Sequence, residues 1–252
     1  MYKYTLMKNW RQKIYLVLFC IYAFDTARSL DEAVVYHLTL PEFVLYRGMD
    51  HYFIMYLFFL ALIYTVLREY KEKNYMMMIR FKTYAAFFVQ RFLAIVTIVE
   101  VIRVISLIIT VFIGIPVLNL SNRFNPFVDK NSNLFEIQSI YQGSFKNPTE
   151  ALAASELYVL LGCSFIILLM MFVLETCNRT YAIVLILAIY FMTSIAISWE
   201  ADEYIPYLFF NNYILLYRIL SRASWQVIVI IEGILSGVIF FFIKKRWRIQ
   251  EI

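Results

Sequence analysis

The sequence has little of what metal centres and disulfide frameworks need. Its 252 residues include three cysteines and two histidines. Cys20, Cys163 and Cys177 form no CxxC pair and lie in or beside apolar blocks, so we expect them to be small packing residues. His37 and His51 do not form an HExxH motif, which argues against an intramembrane zinc protease.

Charged residues are also scarce. They make up 16% of the chain and hydrophobic residues 62%, whereas a soluble domain has about 25% charged and about 45–50% apolar residues. No GxxxxGK[ST] segment is present, so the chain has no P-loop with which to hydrolyse ATP. From this composition we expect residues 1–252 to form a single membrane domain.

Six apolar blocks separated by polar connectors predict an all-α, polytopic membrane protein with six transmembrane helices. A span needs about 17–25 predominantly apolar residues, and shorter blocks extend into flanking aromatic and basic residues. The first block is the weakest because Asp25 and Arg28 interrupt its outer end. The blocks are Ile14 to Ala27, Tyr52 to Leu67, Phe92 to Leu118, Ala153 to Leu174, Tyr181 to Ser198 and Ala223 to Ile243.

Basic residues orient these spans. Four Lys or Arg lie in the N-terminal segment, six in the second connector, one in the fourth and four in the tail, while the three longer opposite connectors together hold seven. Cytoplasmic connectors carry the excess of Lys and Arg, so both termini are predicted to face the cytoplasm. Because the cations are divided among short segments beside the membrane, no nucleic-acid partner is expected.

The second connector, Arg68 to Arg91, mixes apolar and cationic residues from Tyr75 onward. A helix there would be amphipathic and would lie along the cytoplasmic surface, in contact with anionic lipid or with a cytoplasmic partner.

The fifth connector, Trp199 to Arg222, is unusually apolar for an outer connector. Pro206 and the Asn211-Asn212 pair interrupt it, which predicts an interfacial or shallow re-entrant helical pair. We find no matching broken segment in the first half of the sequence, and this disfavours a secondary transporter.

Ionisable residues inside spans are candidate functional groups. Glu100 and Arg103 share a helix face, so they either pair with each other or line a translocation path. Glu232 has no cation within its own span, which makes Arg103 on a neighbouring helix a candidate partner; Glu156 is expected to be interfacial. The spacing of Gly233 and Gly237 allows close helix contact, within the chain or between subunits.

With six spans, cytoplasmic termini, a basic connector between spans two and three and an apolar connector before span six, the chain resembles the permease subunits of type-2 ATP-binding-cassette exporters. In that family the connector between spans two and three carries a coupling helix that docks on the ATPase. The residues that would match it here are Tyr75, Met78, Arg80, Phe81, Lys82 and Thr83. The residues that would match the re-entrant pair are Tyr204, Pro206, Phe209, Asn211 and Asn212.

The resemblance implies a non-catalytic permease that exports an amphipathic peptide, lipid or drug-like substrate. It also implies two partners besides membrane lipid: a cytoplasmic ATPase, which binds ATP and Mg²⁺, and a second copy or paralogue of the permease. No cofactor is expected on this chain itself. In size and in its Ile-, Phe- and Tyr-rich composition, the chain is similar to bacterial peptide-export and immunity permeases, and it is expected in a bacterial cell membrane.

A membrane-embedded enzyme or maturation factor acting on a peptide or lipid through Glu100, Arg103 or Glu232 is the alternative hypothesis. An ion-coupled carrier or channel that uses the same charges is a third.

Overall fold

The computed structural model describes residues 13–71, 81, 83–125, 133–198, 207, 209–220 and 225–248. Within these ranges the chain is helical and contains no strand. A π-helical turn, Phe53–Phe58, leads directly into the third helix. The helices are α1 (Lys13–Val35), α2 (Leu40–Gly48), α3 (Phe59–Lys71), α4 (Tyr84–Gly114), α5 (Asn133–Ser144), α6 (Pro148–Thr176), α7 (Arg179–Ser198), α8 (Asn211–Ile214), α9 (Leu216–Leu220) and α10 (Trp225–Arg248).

Four helical segments in the described part of the chain are long and apolar enough to cross a membrane. They are Phe53–Tyr70, Tyr84–Gly114, Pro148–Thr176 and Gln226–Ile243, which correspond to the second, third, fourth and sixth predicted spans. The prediction of a helical membrane protein is therefore confirmed at this coarser level.

The first and fifth predicted spans are helical but are not among the four segments that are long and apolar enough to cross a membrane. The first lies in α1, whose outer half carries Asp25, Arg28, Asp31 and Glu32. The fifth lies in α7, within which the segment Arg179–Ser194 forms a shorter apolar helix. At about 1.5 Å per residue, the 23 residues of α1 and the 20 residues of α7 are each long enough for a hydrocarbon core of about 30 Å. Six spans, and the cytoplasmic location of both termini, stay predictions.

Helix α6 is the centre of the bundle, because α2, α3, α4, α7, α8, α9 and α10 all pack against it. Its start is well defined: the Asn147 side chain accepts a 2.9 Å hydrogen bond from the Glu150 backbone N–H, and Pro148 occupies the first turn, where its missing N–H costs nothing.

The first outer connector contains a feature that the sequence reasoning missed, the buried helix α2. Thr39 and Glu42 form a capping box at its start, with Pro41 in its first turn. Every residue of this helix except Pro41 is buried, including the charged residues Glu42 and Arg47. The short helix packs against α4 and α6. The first half therefore contains a short buried helix, which is continuous over Leu40–Gly48 and so differs from the broken pair in the fifth connector.

The fifth connector contains the two short helices α8 and α9, separated by Leu215 in an extended conformation. Two short helices agree with the helical pair predicted here, but the predicted interruption, Asn211-Asn212, lies within α8 and the break falls at Leu215. An interfacial or re-entrant depth stays a prediction. Every residue from Phe209 to Leu216 is buried, and α8 lies against α6.

The outer surface of the bundle is apolar. Large exposed hydrophobic side chains lie on α1, α7 and α10, as expected of helices that face lipid. A Cβ atom added to Gly233 or Gly237 would meet nothing within 4 Å among the described residues. These glycines do not pack against the described part of their own chain, and a role in a subunit interface stays a prediction.

Candidate functional site

The centre of the candidate site is the guanidinium of Arg103 on α4, which is only 1% exposed. Its Nε donates to Glu156 Oε2 at 3.0 Å and its Nη2 donates to Glu156 Oε1 at 2.7 Å. Nη2 also donates to the carbonyl oxygen of Gly48. A bidentate arginine–carboxylate pair is a strong and directional interaction. The carboxylate that binds Arg103 is therefore Glu156, not Glu100 or Glu232 as the sequence suggested.

This ion pair fixes the position of α2. Gly48 is the last residue of that helix, and helix C-termini present unpaired carbonyl groups with a partial negative charge. Arg103 satisfies one of these carbonyls while it pairs with α6. The contact is tight, because a Cβ on Gly48 would lie 3.1 Å from Leu107 Cδ2 and 3.4 Å from Glu156 Oε1. One arginine thus joins α2, α4 and α6.

Glu100 lies one helical turn before Arg103 and is close enough to interact electrostatically with both members of the pair. Its Oε1 atom is buried and has no hydrogen-bond partner among the described residues. Three ionisable groups therefore share this region: two carboxyl groups and one guanidinium, and only one carboxylate is bound by the cation.

Glu232 on α10 is 5% exposed, and its Oε1 atom also has no hydrogen-bond partner in the described part of the chain. The thiol of Cys163 on α6 interacts electrostatically with Glu100, Arg103, Glu156 and Glu232. We call these four residues, each of which acts electrostatically on Cys163, the buried charge cluster.

The broken helical pair α8–α9 borders this cluster through α6. The Tyr158 hydroxyl donates to the carbonyl oxygen of Asn212 at 2.7 Å. Gly162 allows the backbones to approach, because a Cβ there would lie 1.8 Å from the carbonyl oxygen of Tyr213. Phe209, Asn211 and Asn212 of the predicted re-entrant set are buried at this contact, whereas Tyr204 and Pro206 lie outside the described residues.

The predicted coupling segment lies mostly outside the described residues, including Tyr75, Met78, Arg80 and Lys82. Of its two described members, Thr83 caps α4 by accepting a 3.3 Å hydrogen bond from the Ala86 N–H, and the Phe81 ring lies 5.6 Å from the Phe87 ring.

The helices on either side of that segment are joined. Arg91 of α4 places its guanidinium carbon 3.9 Å from the centre of the Tyr70 ring of α3, a cation–π contact. The Tyr70 hydroxyl in turn donates to the Met171 carbonyl of α6 at 3.3 Å. The two ends of the connector are therefore held together and to the central helix.

On the predicted outer side, Glu42 forms a network that the sequence analysis did not anticipate. Its Oε2 accepts from the Thr39 N–H and hydroxyl at 2.9 and 3.0 Å, and its Oε1 accepts from the Asn125 N–H at 2.6 Å and from Gln138 Nε2 at 3.2 Å. Burial raises the pKa of Glu42, and these donors oppose that rise. The network ties the first outer connector to the third.

His51 follows α2 in the sequence and contacts α9. Its Nδ1 is 3.5 Å from the Tyr217 hydroxyl of α9, and Nε2 is buried. Burial, followed by the positive charge of Arg218, lowers the pKa of His51 to about 3, so the ring is neutral at physiological pH. In the described ranges no group of three His, Cys, Asp or Glu side chains is arranged to hold a metal ion.

Comparisons with family models, with curated proteins and with solved structures find no match to this chain. The fold and site themselves define a helical membrane protein with buried charges and two short buried helical segments, one before α3 and one before α10.

Proposed function

We propose that this chain is the permease subunit of an ATP-binding-cassette exporter, energised by a separate cytoplasmic ATPase. The observation that supports this proposal most directly is the broken, buried pair α8–α9 immediately before the last long apolar helix. Irregular backbone at membrane depth is tolerated where protein shields it, and α6 shields α8 through Gly162 and Tyr158.

The ends of the second connector also support the proposal. A docking element transmits force only if its ends are fixed to the spans. The Tyr70–Arg91 contact and the Tyr70–Met171 hydrogen bond provide such attachment to α3, α4 and α6. In this proposal, closure of the ATPases moves the connector and changes the relative populations of inward- and outward-facing states.

The exported substrate is amphipathic in this proposal, a peptide, lipid or drug-like molecule. Its polar part would meet the buried charge cluster, and its apolar part would meet the surrounding Phe, Tyr and Ile side chains. The subunit would act as a dimer with a second copy or a paralogue.

The test is co-purification of the tagged chain from its native membrane in mild detergent. A stoichiometric ATPase is the expected result. The double substitution Arg80→Glu and Lys82→Glu should abolish ATPase association while membrane insertion is unchanged. A matched control reverses two exposed charges on the predicted outer side, Arg123→Glu and Lys146→Glu, and should leave the association intact. A crosslinked preparation without any ATPase would contradict the proposal.

A membrane-embedded enzyme or maturation factor is the second candidate. The buried Oε1 atoms of Glu100 and Glu232, which have no hydrogen-bond partner in the described part of the chain, support it because carboxyl groups in apolar surroundings are suited to proton transfer. Turnover of a peptide or lipid by the purified chain without ATP, abolished by Glu100→Gln, is the result expected of an enzyme. Full activity of that variant would argue against the assignment.

A further inference from the structure

Glu232 occupies an unusual position on α10. The neighbouring side chains Ile230 and Ile234 are exposed on the apolar outer surface, whereas Glu232 points into the bundle and is 5% exposed. It lies within the candidate span Gln226–Ile243. A carboxylate placed there loses its hydration, so its charge is costly unless a cation or several donors replace the water.

The polar groups around Glu232 are engaged elsewhere. It interacts electrostatically with Tyr158 and Cys163 of α6 and with Tyr213 of α8. The Tyr158 hydroxyl donates to the Asn212 carbonyl, and the Tyr213 hydroxyl donates to the Tyr207 carbonyl at 2.8 Å. Neither hydroxyl proton is therefore available to stabilise a carboxylate.

The cations of the adjoining helices bind or act on other groups. Arg103 of α4 binds Glu156 and the Gly48 carbonyl through Nε and Nη2, and its Nη1 has no hydrogen-bond partner among the described residues. The charge of Arg218 on α9 acts on His51. Glu100 of α4 carries a charge of the same sign as Glu232. Among the described residues, none of these cations forms an ion pair with Glu232, and its Oε1 atom accepts no hydrogen bond.

We propose that Glu232 is a proton-binding site inside the membrane bundle, at the junction of α6, α8 and α10. The proton resides on the carboxyl oxygen and is released when water or a cation reaches the group. Helix α8, whose Tyr213 interacts with Glu232, is held to α6 by the Tyr158–Asn212 hydrogen bond and by the close approach at Gly162, so displacement of α8 would change the surroundings of this carboxyl group. The site would allow proton exchange to be linked to movement of the broken pair.

This inference does not depend on the ATPase assignment. If the chain proves to be an exporter, proton exchange at Glu232 accompanies its cycle. If no ATPase is found, a proton site beside a broken helical pair favours the ion-coupled carrier instead.

The test uses the full-length chain in lipid nanodiscs and the apolar reagent dicyclohexylcarbodiimide. A protonated carboxyl group adds its O–H across one C=N bond of the reagent, and the adduct rearranges to a stable N-acylurea that mass spectrometry locates. We expect labelling at Glu232 that decreases as the pH is raised and is lost in Glu232→Gln. Glu232→Asp, which keeps the carboxyl group, should retain it. The ion-paired Glu156 should stay unlabelled.

Two controls make a negative result informative. Arg103→Gln removes the cation from Glu156, so Glu156 should then react, which shows that the reagent modifies an unpaired, partly buried carboxyl group of the bundle. Glu232→Gln mimics the protonated acid and should unfold at the same temperature as the wild type at low pH. An unlabelled Glu232 in a bundle where the freed Glu156 reacts would overturn the proposal. Protection of Glu232 by Na⁺ or K⁺ at constant pH would also overturn it, because the bound ion would then be a metal cation.

Discussion

The close approach of α8 to α6 at Gly162 gives a sharp prediction for Gly162→Ala. The added Cβ would lie 1.8 Å from the Tyr213 carbonyl oxygen, whereas ordinary contact begins at 3.4 Å, so the two backbones must separate by about 1.6 Å. That oxygen belongs to the backbone, so it cannot rotate away. The separation also stretches the 2.7 Å hydrogen bond from Tyr158 to Asn212.

Overpacking of this kind costs about 1–3 kcal/mol, and the weakened hydrogen bond adds about 0.5–1.5 kcal/mol. A loss of about 3 kcal/mol corresponds to a decrease of about 6–12 °C in the unfolding temperature for a chain of this size. The assay is thermal unfolding of the purified protein in detergent, followed by intrinsic fluorescence at one fixed scan rate because unfolding of such proteins is often irreversible.

Gly233→Ala and Gly237→Ala are matched controls, because the same Cβ added to α10 meets nothing within 4 Å. Alanine favours a helix over glycine by about 1 kcal/mol, so these variants should unfold at the wild-type temperature or above it. If Gly162→Ala is as stable as the two controls, the packing of α8 against α6 described above is wrong.

Three further substitutions test the charged and aromatic contacts. Arg103→Gln leaves the partly buried Glu156 without its cation and should cost about 1–3 kcal/mol of unfolding free energy, part of which the double variant Arg103→Gln with Glu156→Gln restores; equal losses in the single and double variants would argue against the pair. His51 is neutral in the folded state with a pKa of about 3, whereas in the unfolded state it takes up a proton below about pH 6.5, so the unfolding free energy should fall as the pH decreases from about 6.5. His51→Gln should flatten this pH dependence, and an unchanged slope would exclude the histidine as its source. Tyr70→Phe keeps the ring beside Arg91 and should cost about 0.5–1.5 kcal/mol, less than Tyr70→Leu, which also loses the cation–π contact; an equal loss in unfolding temperature would show that the ring contributes nothing.

The long apolar helices could be predicted from the sequence because their signal is local. Runs such as Phe92 to Leu118 are longer than a membrane span requires and contain few charges, so a membrane-spanning helix is expected for them. Short helices in the fifth connector were also predictable, because this apolar stretch is too short to span twice. The position of the break was not, since Asn211 and Asn212 begin α8 and the helix ends at Leu215.

Helix α2 was missed because it is short and lies between charged residues, so hydropathy alone suggested a connector. A local signal was nevertheless present. Thr39 followed three residues later by Glu42, with Pro41 between them, is the pattern of a capped helix start. The apolar residues after it indicate a helix with a buried face.

The partner of Arg103 could not be predicted, because the choice among carboxylates depends on tertiary packing. Glu100 is its neighbour along the helix, yet Glu156, which is 53 residues away in sequence, provides the bidentate contact. The same guanidinium also donates to the Gly48 carbonyl, so it is directed toward α2 and α6. The packing of these two helices on α4 cannot be read from the local sequence.

The two short buried segments, α2 and the pair α8–α9, contact different faces of α6. Tyr158, Gly162 and Phe165 follow one another at intervals of four and three residues, so they share a face, and each contacts α8: the Phe165 and Tyr213 rings lie 5.4 Å apart. Glu156 lies two residues before Tyr158, about 200° around the helix, and holds α2 through Arg103. His51, three residues after α2, also contacts the Tyr217 hydroxyl of α9 at 3.5 Å. Movement of one segment can therefore reach the other through the central helix α6 and through this direct contact.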